Sequence, residues 1–155
     1  MGEPAYPAVR DVVPHTGRMV LLTRVVDHAP DHTACVVEIG EDARFREPGG
    51  LVPAWVGLEY MAQCVAAHAG LRARANGEPV RIGFLLGSRR VELRTAGFAP
   101  GQVLEVRARR QWGDRGLGSF ACSIRDAADG RLLVDGHLSV YLAHDPDALV
   151  AGPVS

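Results

Sequence analysis

One segment of this chain forms a predicted helix that is apolar on nearly every side, and this feature constrains the fold most. The segment Ala54–Arg74 follows Pro53 and precedes Asn76-Gly77, which are typical signals for the start and the end of a helix. Small apolar residues occur all round it, and a helix without a polar face is normally buried. The remainder of the chain must therefore cover this helix.

The rest of the chain reads as strands separated by turn signals. Met19–Val26 and Thr33–Ile39 are rich in β-branched residues and predict a hairpin, which is followed by a long loop, Glu41–Pro53. Consecutive strands joined by short turns form an antiparallel sheet, which can cover a single apolar helix. We therefore predict an α+β fold, with a curved antiparallel sheet wrapped around one long central helix. Four strands are predicted after the helix: Val80–Leu93, Gly101–Trp112, Gly116–Asp126 and Arg131–Leu142.

The length of 155 residues suits one domain. We expect its core over about residues 10–142, with an extended proline-bearing arm at 1–14 and a loose tail at 144–155. The arm has neither the cationic start nor the apolar core of a secretory signal. Glu59, Gln63 and His68 interrupt the longest apolar run, so that it falls short of a membrane span. We expect a cytoplasmic protein without a membrane or secretory role.

Charge and composition exclude several classes of function. The net charge of -1 argues against a strongly basic nucleic-acid binder. The chain contains no lysine, which excludes Schiff-base chemistry and a P-loop lysine. The three cysteines form no pair with metal-ligand spacing and are expected to be buried thiols in a reducing compartment. They are Cys35, Cys64 and Cys122.

The histidines do not indicate a metal site. Four of them are scattered, without helical ligand spacing, so no metal is expected. We interpret the one on the last predicted strand, His137, as structural. The scattered four are His28, His32, His137 and His144.

A carboxyl group stands inside the apolar helix. Glu59 precedes Gln63 by four residues, so the two share a helical face. An apolar setting favours the protonated carboxyl, which suits a general acid. Alternatively, Glu59 reaches solvent at an interface or makes a structural hydrogen bond, and Gln63 is a structural hydrogen-bonding residue. We interpret His68, two turns further along, as a core or interface histidine.

Several segments resemble the hot-dog-fold 3-hydroxyacyl-[acyl carrier protein] dehydratases over about residues 10–142. VPHTGRMVLLTRVVD is similar to the Pro-His-Arg motif and first strand of that family, and LVPAWVGLEYMAQCVAAHAG is similar to its central helix. FAPGQVLEV resembles its Pro-Gly turn into a strand, and GDRGLGSFACSIRD resembles its long hairpin. The variant Leu-x-Pro-x-Trp…Leu-Glu-x-Met-Ala-Gln, followed by Gly-Phe-Leu-Leu-Gly, looks most like the aryl-polyene (ApeP-like) branch, which is related to the fatty-acid dehydratases.

The resemblance implies elimination of water from a 3-hydroxyacyl thioester to give a trans-2-enoyl thioester. Glu59 falls on the helix acid of the family, Gln63 on its glutamine and Gly87 on the glycine of the strand that lines the acyl tunnel. Backbone N–H groups near Gly57, at the helix start, would hold the enolate charge. The substrate-binding residues implied are Pro53, Ala54, Trp55, Gly57, Gln63, Phe84, Leu85, Leu86 and Gly87.

The chain departs from the family pattern at the position of the catalytic base. Phe45 stands where the family has the histidine of a His-Phe-Pro motif, and the loop 44–52 contains no histidine. Pro53-Ala54 replaces the Pro-Gly helix start. The resemblance places the arm near the mouth of the active site, and histidine titrates near neutral pH, so His15 is the expected base. If His15 instead caps the arm structurally, dehydration would lack its base.

The resemblance also implies partners. The substrate would be carried on the phosphopantetheine of acyl carrier protein or on coenzyme A, with no other cofactor. Arg89 or Arg90 is expected to contact the carrier phosphate, because arginine suits phosphate, while the other arginines form a solvated face. A homodimer or larger assembly is implied, with Glu59 of one chain facing groups of the other, or a heterodimer with another hot-dog protein. Two alternatives stay open: a thioesterase in which Glu59 activates water, and a catalytically silent partner subunit.

Overall fold

The predicted order of the helix and the six long strands is present in the computed structural model of the protein, which describes residues 5–142. Two further short strands, which pair with each other, were not predicted. Within this range there is one α-helix, α1, at Gly57–Ala75, directly preceded by a short 3₁₀ turn at Ala54–Val56. The strands are Arg24–Ala29 (β1), His32–Glu38 (β2), Val52–Pro53 (β3), Gly83–Leu93 (β4), Gly97–Phe98 (β5), Val103–Asp114 (β6), Leu117–Asp126 (β7) and Leu132–Leu142 (β8).

Six strands form one antiparallel sheet, in the order β1-β2-β6-β7-β8-β4, and α1 lies against it. Burial alternates along β6: Leu104, Val106 and Ala108 are buried, whereas Glu105 and Arg107 are less so. This alternation gives the sheet one apolar face. α1 packs on that face against β2, β6 and β7, as the apolar helix requires. The predicted α+β fold, in which an antiparallel sheet covers one long helix, is confirmed.

The predicted first strand begins too early. Residues 17–19 form a 3₁₀ turn, and β1 starts only at Arg24. The buried amide of Gln63 donates a hydrogen bond to the Met19 carbonyl and accepts one from the Leu21 N–H. These two backbone groups therefore pair with a side chain instead of a neighbouring strand. A strand pattern in sequence cannot reveal this competition.

The described part of the arm is not simply extended. A 3₁₀ turn at Val9–Asp11 brings Val9, Val12 and Val13 into the core. The carbonyl of Val12 lies so close to Gly70 of α1 that a Cβ at Gly70 would overlap it. The arm is therefore seated on the helix, and its end carries His15 towards α1. Residues 1–4 of the predicted arm and the predicted tail at 144–155 lie outside the described residues.

The three thiols are buried and free, as predicted. Burial raises the pKa of the Cys122 thiol to about 12. A hydrogen bond with Cys35, together with burial, holds the pKa of Cys64 well above its ordinary value. Protonated, buried thiols are poor nucleophiles, so these cysteines serve packing. No helix among residues 5–142 is long and apolar enough to cross a bilayer.

Candidate active site

Glu59 lies in the first turn of α1, and its carboxyl is not sequestered within the single chain. Its side chain is 39% exposed. The expectation of a fully buried carboxyl is therefore not met in one chain, because Glu59 borders an open cavity. The group is accessible to a ligand from solution.

His15, at the end of the arm, faces Glu59 of the same chain. Its Nε2 lies 3.4 Å from Oε1 of Glu59, and its side chain is 27% exposed. Its Nδ1 is buried and has no hydrogen-bond partner among the described residues. The two residues predicted as acid and base are thus brought together. The resemblance implied a Glu59 facing groups of a second chain, whereas here the facing group comes from its own arm.

Gln63 holds this pair in place from within the core. It is fully buried, and its Nε2 donates to the Met19 carbonyl at 2.7 Å and to Oε1 of Glu59 at 3.1 Å. Its Oε1 accepts the N–H of Leu21 at 2.9 Å. Gln63 was predicted to bind substrate, but its amide is occupied by these groups. It therefore fixes the Glu59 carboxyl and ties the segment after His15 to the helix.

A cavity of about 580 Å³ opens beside Glu59 and His15. This volume lies in the range of ligand pockets, roughly 300–1,000 Å³. One wall is the alanine face of α1, and another is formed by Phe84 and Leu85 of β4. The cavity runs along the helix, from the acid–base pair towards its C-terminal end. The alanine face comprises Ala62, Ala66, Ala69 and Ala73.

Only part of the predicted substrate-binding set borders this cavity. Phe84 and Leu85 do, whereas Leu86 and Gly87 do not. Neither do Pro53 and Trp55, and the Trp55 side chain is 57% exposed beside Phe45, with ring centroids 6.1 Å apart.

Two amides at the helix start are already engaged. The N–H of Ala54 donates to the Ala96 carbonyl at 3.1 Å, and that of Gly57 donates to the Ala54 carbonyl within the 3₁₀ turn. Gly57 also packs tightly on the sheet: a Cβ there would lie 2.9 Å from Ile124 Cδ1. The predicted role of Ala54 and Gly57 in holding an enolate therefore does not fit this geometry, because their donors serve the fold.

The arginines beside the cavity are not those predicted. Arg89 and Arg90 are exposed on β4 and do not border it. Arg72 of α1, Arg110 of β6 and Arg115 of the β6–β7 turn border it instead. The guanidinium of Arg110 lies over Gly113, where any side chain would collide with it. Arg81 and the acidic Glu78 and Asp114 border the cavity as well, so it has a charged region of both signs. This region was missed because its residues converge from separate elements.

His68 forms the inner end of a buried polar chain. Its Nδ1 lies 2.8 Å from the Thr33 hydroxyl, which in turn lies 2.7 Å from Nδ1 of His28. Burial, reinforced by the cationic neighbours His28, Arg72 and Arg110, lowers the pKa of His68 to about 4. The residue is buried, as predicted, but it also borders the cavity. Within residues 5–142 no cluster of side chains has the composition of a metal site.

The comparisons with known proteins agree with this geometry. The family described as ApeP-like dehydratase matches residues 7–151. The dehydratase heterocomplex ApeI:P from Xenorhabdus doucetiae contains a chain 30% identical to this one, with a TM-score of 0.88 over 94% of this chain and 97% of that chain. No curated protein sequence matches this chain.

More distant structures share the fold alone. Thioesterase superfamily member 2 of zebrafish is 16% identical, with a TM-score of 0.67 over 87% of this chain and 93% of that chain. A hypothetical thioesterase of Streptococcus pneumoniae with coenzyme A is 12% identical, with a TM-score of 0.60 over 77% and 84% of the two chains. These neighbours identify the hot-dog architecture.

Proposed function

This chain belongs to the ApeP-like dehydratase family, and we propose that it removes water from a 3-hydroxyacyl thioester carried on phosphopantetheine, with His15 and Glu59 as its base and acid. The observation that carries the proposal is their approach to 3.4 Å at the mouth of the cavity. A histidine base and a carboxylic acid side by side are the two groups that such an elimination needs.

The geometry supports a mechanism with two proton transfers. His15 Nε2, in its neutral form, takes the proton from C2, and the electrons of that C–H bond form the C2=C3 double bond. The C3–O bond breaks, and the protonated Glu59 supplies the proton that lets the hydroxyl leave as water. Because the two side chains are neighbours, they act on the same side of the substrate, so that the elimination is syn.

The same contact allows His15 and Glu59 to return to their starting protonation states. After one turnover His15 holds an extra proton and Glu59 has lost one. A separation of 3.4 Å allows the proton to return from Nε2 to Oε1 after a small adjustment. No third protein group is needed for the cycle. Gln63, which donates to Oε1, keeps the carboxyl within reach of the imidazole.

The edge strand β4 is the proposed site of subunit pairing. Among residues 5–142 it ends the sheet and pairs only with β8, and it is exposed along almost its whole length. Leu85 is 50% exposed and Leu86 is 59% exposed. A long apolar edge strand is normally covered. We propose that a second copy of this chain covers it. The relative in the ApeI:P dehydratase heterocomplex also occurs in an assembly, although with a different chain.

The pairing is tested by comparing the two edges of the sheet. Leu86→Glu on β4 should reduce the dimer mass found by light scattering to that of a monomer. Val26→Glu on β1, the opposite edge strand and also exposed, should leave the dimer intact. A wild-type chain that stays monomeric at high concentration would contradict the homodimer and favour a different hot-dog partner.

The activity is tested with a trans-2-enoyl thioester, since hydration is the reverse reaction. The purified chain should convert crotonyl thioesters of pantetheine, coenzyme A or acyl carrier protein to the 3-hydroxy product, seen as the mass of one added water. Release of free thiol without hydration would indicate a thioesterase. A chain inactive alone but active after addition of a dehydratase partner would indicate a silent subunit.

A further inference from the structure

A second, smaller cavity lies beside α1 and shares no lining residue with the cavity at Glu59. Its volume is about 260 Å³, and it is bordered by Tyr60, the residue after Glu59, and by the buried Val37 and Ile39. Pockets for larger ligands have roughly 300–1,000 Å³. This cavity therefore suits a compact chemical group, and the mechanism proposed above makes no use of it.

Two arginine side chains border this cavity without an anionic partner. Neither Arg18 nor Arg44 forms an ion pair within residues 5–142. Arg18 is exposed. The Nε of Arg44 is buried, whereas its two terminal nitrogens are accessible. An anion that enters the cavity therefore meets two guanidinium groups that it can reach.

The loop before α1 holds the Arg44 guanidinium in place. Phe45 has a φ of 70°, which a bulky residue rarely adopts, and its ring centroid lies 5.3 Å from Cζ of Arg44, a cation–π distance. The same ring lies 6.1 Å from that of Trp55. Arg46 fixes the loop, because its Nε donates to the Gly50 carbonyl at 2.9 Å. Arg44 is thus positioned before a ligand binds, which lowers the entropic cost of binding.

The charges that border the cavity leave one positive charge without a partner. Glu38 borders it but is paired with Arg24 at 2.7 Å. Asp42 also borders it, forms no ion pair in the described part of the chain, and offsets one of the two arginines. A phosphodiester has a single negative charge, whereas a phosphate monoester carries about −1.5 to −2 at neutral pH. The cavity therefore matches a phosphodiester better than a monoester.

The cavity lies close to the acid–base pair along the chain. Arg18 follows His15 by three residues, so their Cα atoms are at most about 11 Å apart at roughly 3.6 Å per residue. Thr16 and Gly17 between them are exposed, and a Cβ at Gly17 would meet no atom within 4 Å. The surface along this segment is therefore open, and an extended pantetheine arm is long enough to cross it.

We propose that Arg18 and Arg44 bind the phosphodiester of a carrier-bound phosphopantetheine arm, while the thioester at the other end of the arm lies beside His15 and Glu59. The proposal rests on the function proposed above and adds to it the group by which the carrier is recognised. Guanidinium groups suit phosphate because they form paired, charge-assisted hydrogen bonds with its oxygens. Phosphate also occurs in coenzyme A and as the free ion, and the ligands below separate these sources.

The test uses ligands that do not react. S-butyl pantetheine and the methyl phosphodiester of S-butyl phosphopantetheine are compared by calorimetry on the full chain. The diester should bind about tenfold more tightly, because its charge adds hydrogen bonds to the arginines. S-butyl coenzyme A should bind no more tightly than the diester, and inorganic phosphate should displace the diester only weakly. Equal affinities of the first two ligands, no binding of the diester, tighter binding of the coenzyme A ligand or ready displacement by phosphate would overturn the proposal.

Variants assign the preference to the cavity. Arg44→Gln should reduce the affinity for the diester to that for the phosphate-free ligand, and Arg18→Gln should lower it in the same direction. Arg89→Gln is the matched control, because Arg89 is exposed on β4 and borders neither cavity. It should keep the preference. A preference lost in Arg89→Gln but kept in Arg44→Gln would overturn the proposal.

A gain of affinity provides a readout that a misfolded variant cannot produce. Asp42→Asn removes the negative charge that offsets the arginines, so the diester should bind about twofold more tightly. The affinity for the phosphate-free ligand should stay unchanged. Weaker binding of the diester by Asp42→Asn would contradict the charge balance on which the proposal depends.

Kinetics separate this proposal from the proposed dehydration. Crotonyl pantetheine should be hydrated equally fast by the wild type and by Arg44→Gln. With a crotonyl carrier protein, Arg44→Gln should raise KM about tenfold and leave kcat unchanged. A preference for the diester without hydration of any crotonyl thioester would contradict dehydration while supporting the phosphate site. Hydration of the crotonyl carrier protein with an unchanged KM in Arg44→Gln would overturn the phosphate site and leave dehydration in place.

Discussion

The imidazole Nε2 of His15 lies 3.4 Å from Oε1 of Glu59, and the two side chains belong to different segments of the chain. The helix carries Glu59, whereas the arm, seated on Gly70 and tied down by Gln63, carries His15. In the proposed mechanism the acid and the base therefore come from one chain. In that mechanism His15 replaces the histidine that the resemblance to the fatty-acid dehydratases implies at the position of Phe45.

Removing the acid should abolish activity without unfolding the protein. We expect Glu59→Gln to lower the hydration rate of crotonyl thioesters by about a hundredfold to ten-thousandfold, the usual worth of a positioned proton donor. Glu38→Gln is the matched control: Glu38 forms an exposed ion pair with Arg24, remote from the cavity, and should leave the rate unchanged. A rate within a few fold of wild type for Glu59→Gln would contradict the role of this residue.

Removing the amide of Gln63 should affect both stability and rate. Gln63→Leu leaves the Met19 carbonyl and the Leu21 N–H without their partner, which should cost about 1–3 kcal/mol of unfolding free energy. It should also lower the turnover number, because Glu59 loses its donor. Gln102→Leu removes surface hydrogen bonds to Ala99 and Asp126 and should reduce stability only. Urea unfolding and steady-state rates check both variants, and an unchanged turnover in Gln63→Leu would exclude the positioning role.

A methyl group at Gly70 should displace the arm. Gly70→Ala places a Cβ against the Val12 carbonyl, and backbone cannot yield as a flexible side chain does. We expect a loss of about 1–3 kcal/mol, typical of overpacking, and a fall in activity as His15 moves. Gly50→Ala has no contact closer than 3.8 Å and should be tolerated. Equal melting temperatures for the two variants would show that the arm is not held by this contact.

Acid should destabilise the protein between pH 6.5 and 4 through His68. Its folded pKa of about 4 lies below the value of 6.5 for an exposed histidine, so below pH 6.5 the unfolded chain binds the extra proton and stability falls with pH. The loss is on the order of 3 kcal/mol across this window. The pKa of His28 is also lowered, chiefly by burial, and adds a loss of the same sign.

A comparison of histidine variants isolates this effect. His68→Leu should flatten the loss of unfolding free energy between pH 6.5 and 4. His32→Asn should keep or steepen it: hydrogen bonds to Asp27 and Asp31 raise the pKa of His32, so that its own contribution is present at low pH and is lost as pH rises. If His68→Leu shows the same acid dependence as the wild type, His68 does not control it.

The architecture was predictable from residue patterns because each pattern is local. The apolar helix, the alternation along β6 and the turn signals after each strand were enough to predict the order of the helix and the six long strands. The late start of β1 was not predictable, since it depends on the Gln63 amide reaching Met19 and Leu21.

The site was predictable only where chemistry stands out in the sequence. Glu59 is conspicuous inside an apolar helix, and because the loop 44–52 has no histidine, His15 is the histidine expected to act as the base. The occupied amides of Ala54 and Gly57 could not be foreseen, because one partner is the distant Ala96 carbonyl. The polar end of the cavity could not be foreseen either, because the residues of α1 and β6 that form it meet only in the folded chain.

A double-mutant cycle tests most directly whether His15 and Glu59 work as one unit. Hydration of crotonyl pantetheine thioester is measured for His15→Asn, Glu59→Gln and the double variant, each shown to be folded by its unfolding curve. Residues that act together are not additive, so the double variant should be about as slow as the slower single variant. A double variant slowed by the product of the two single effects, or a His15→Asn variant as fast as the wild type, would contradict the claim that His15 and Glu59 act together.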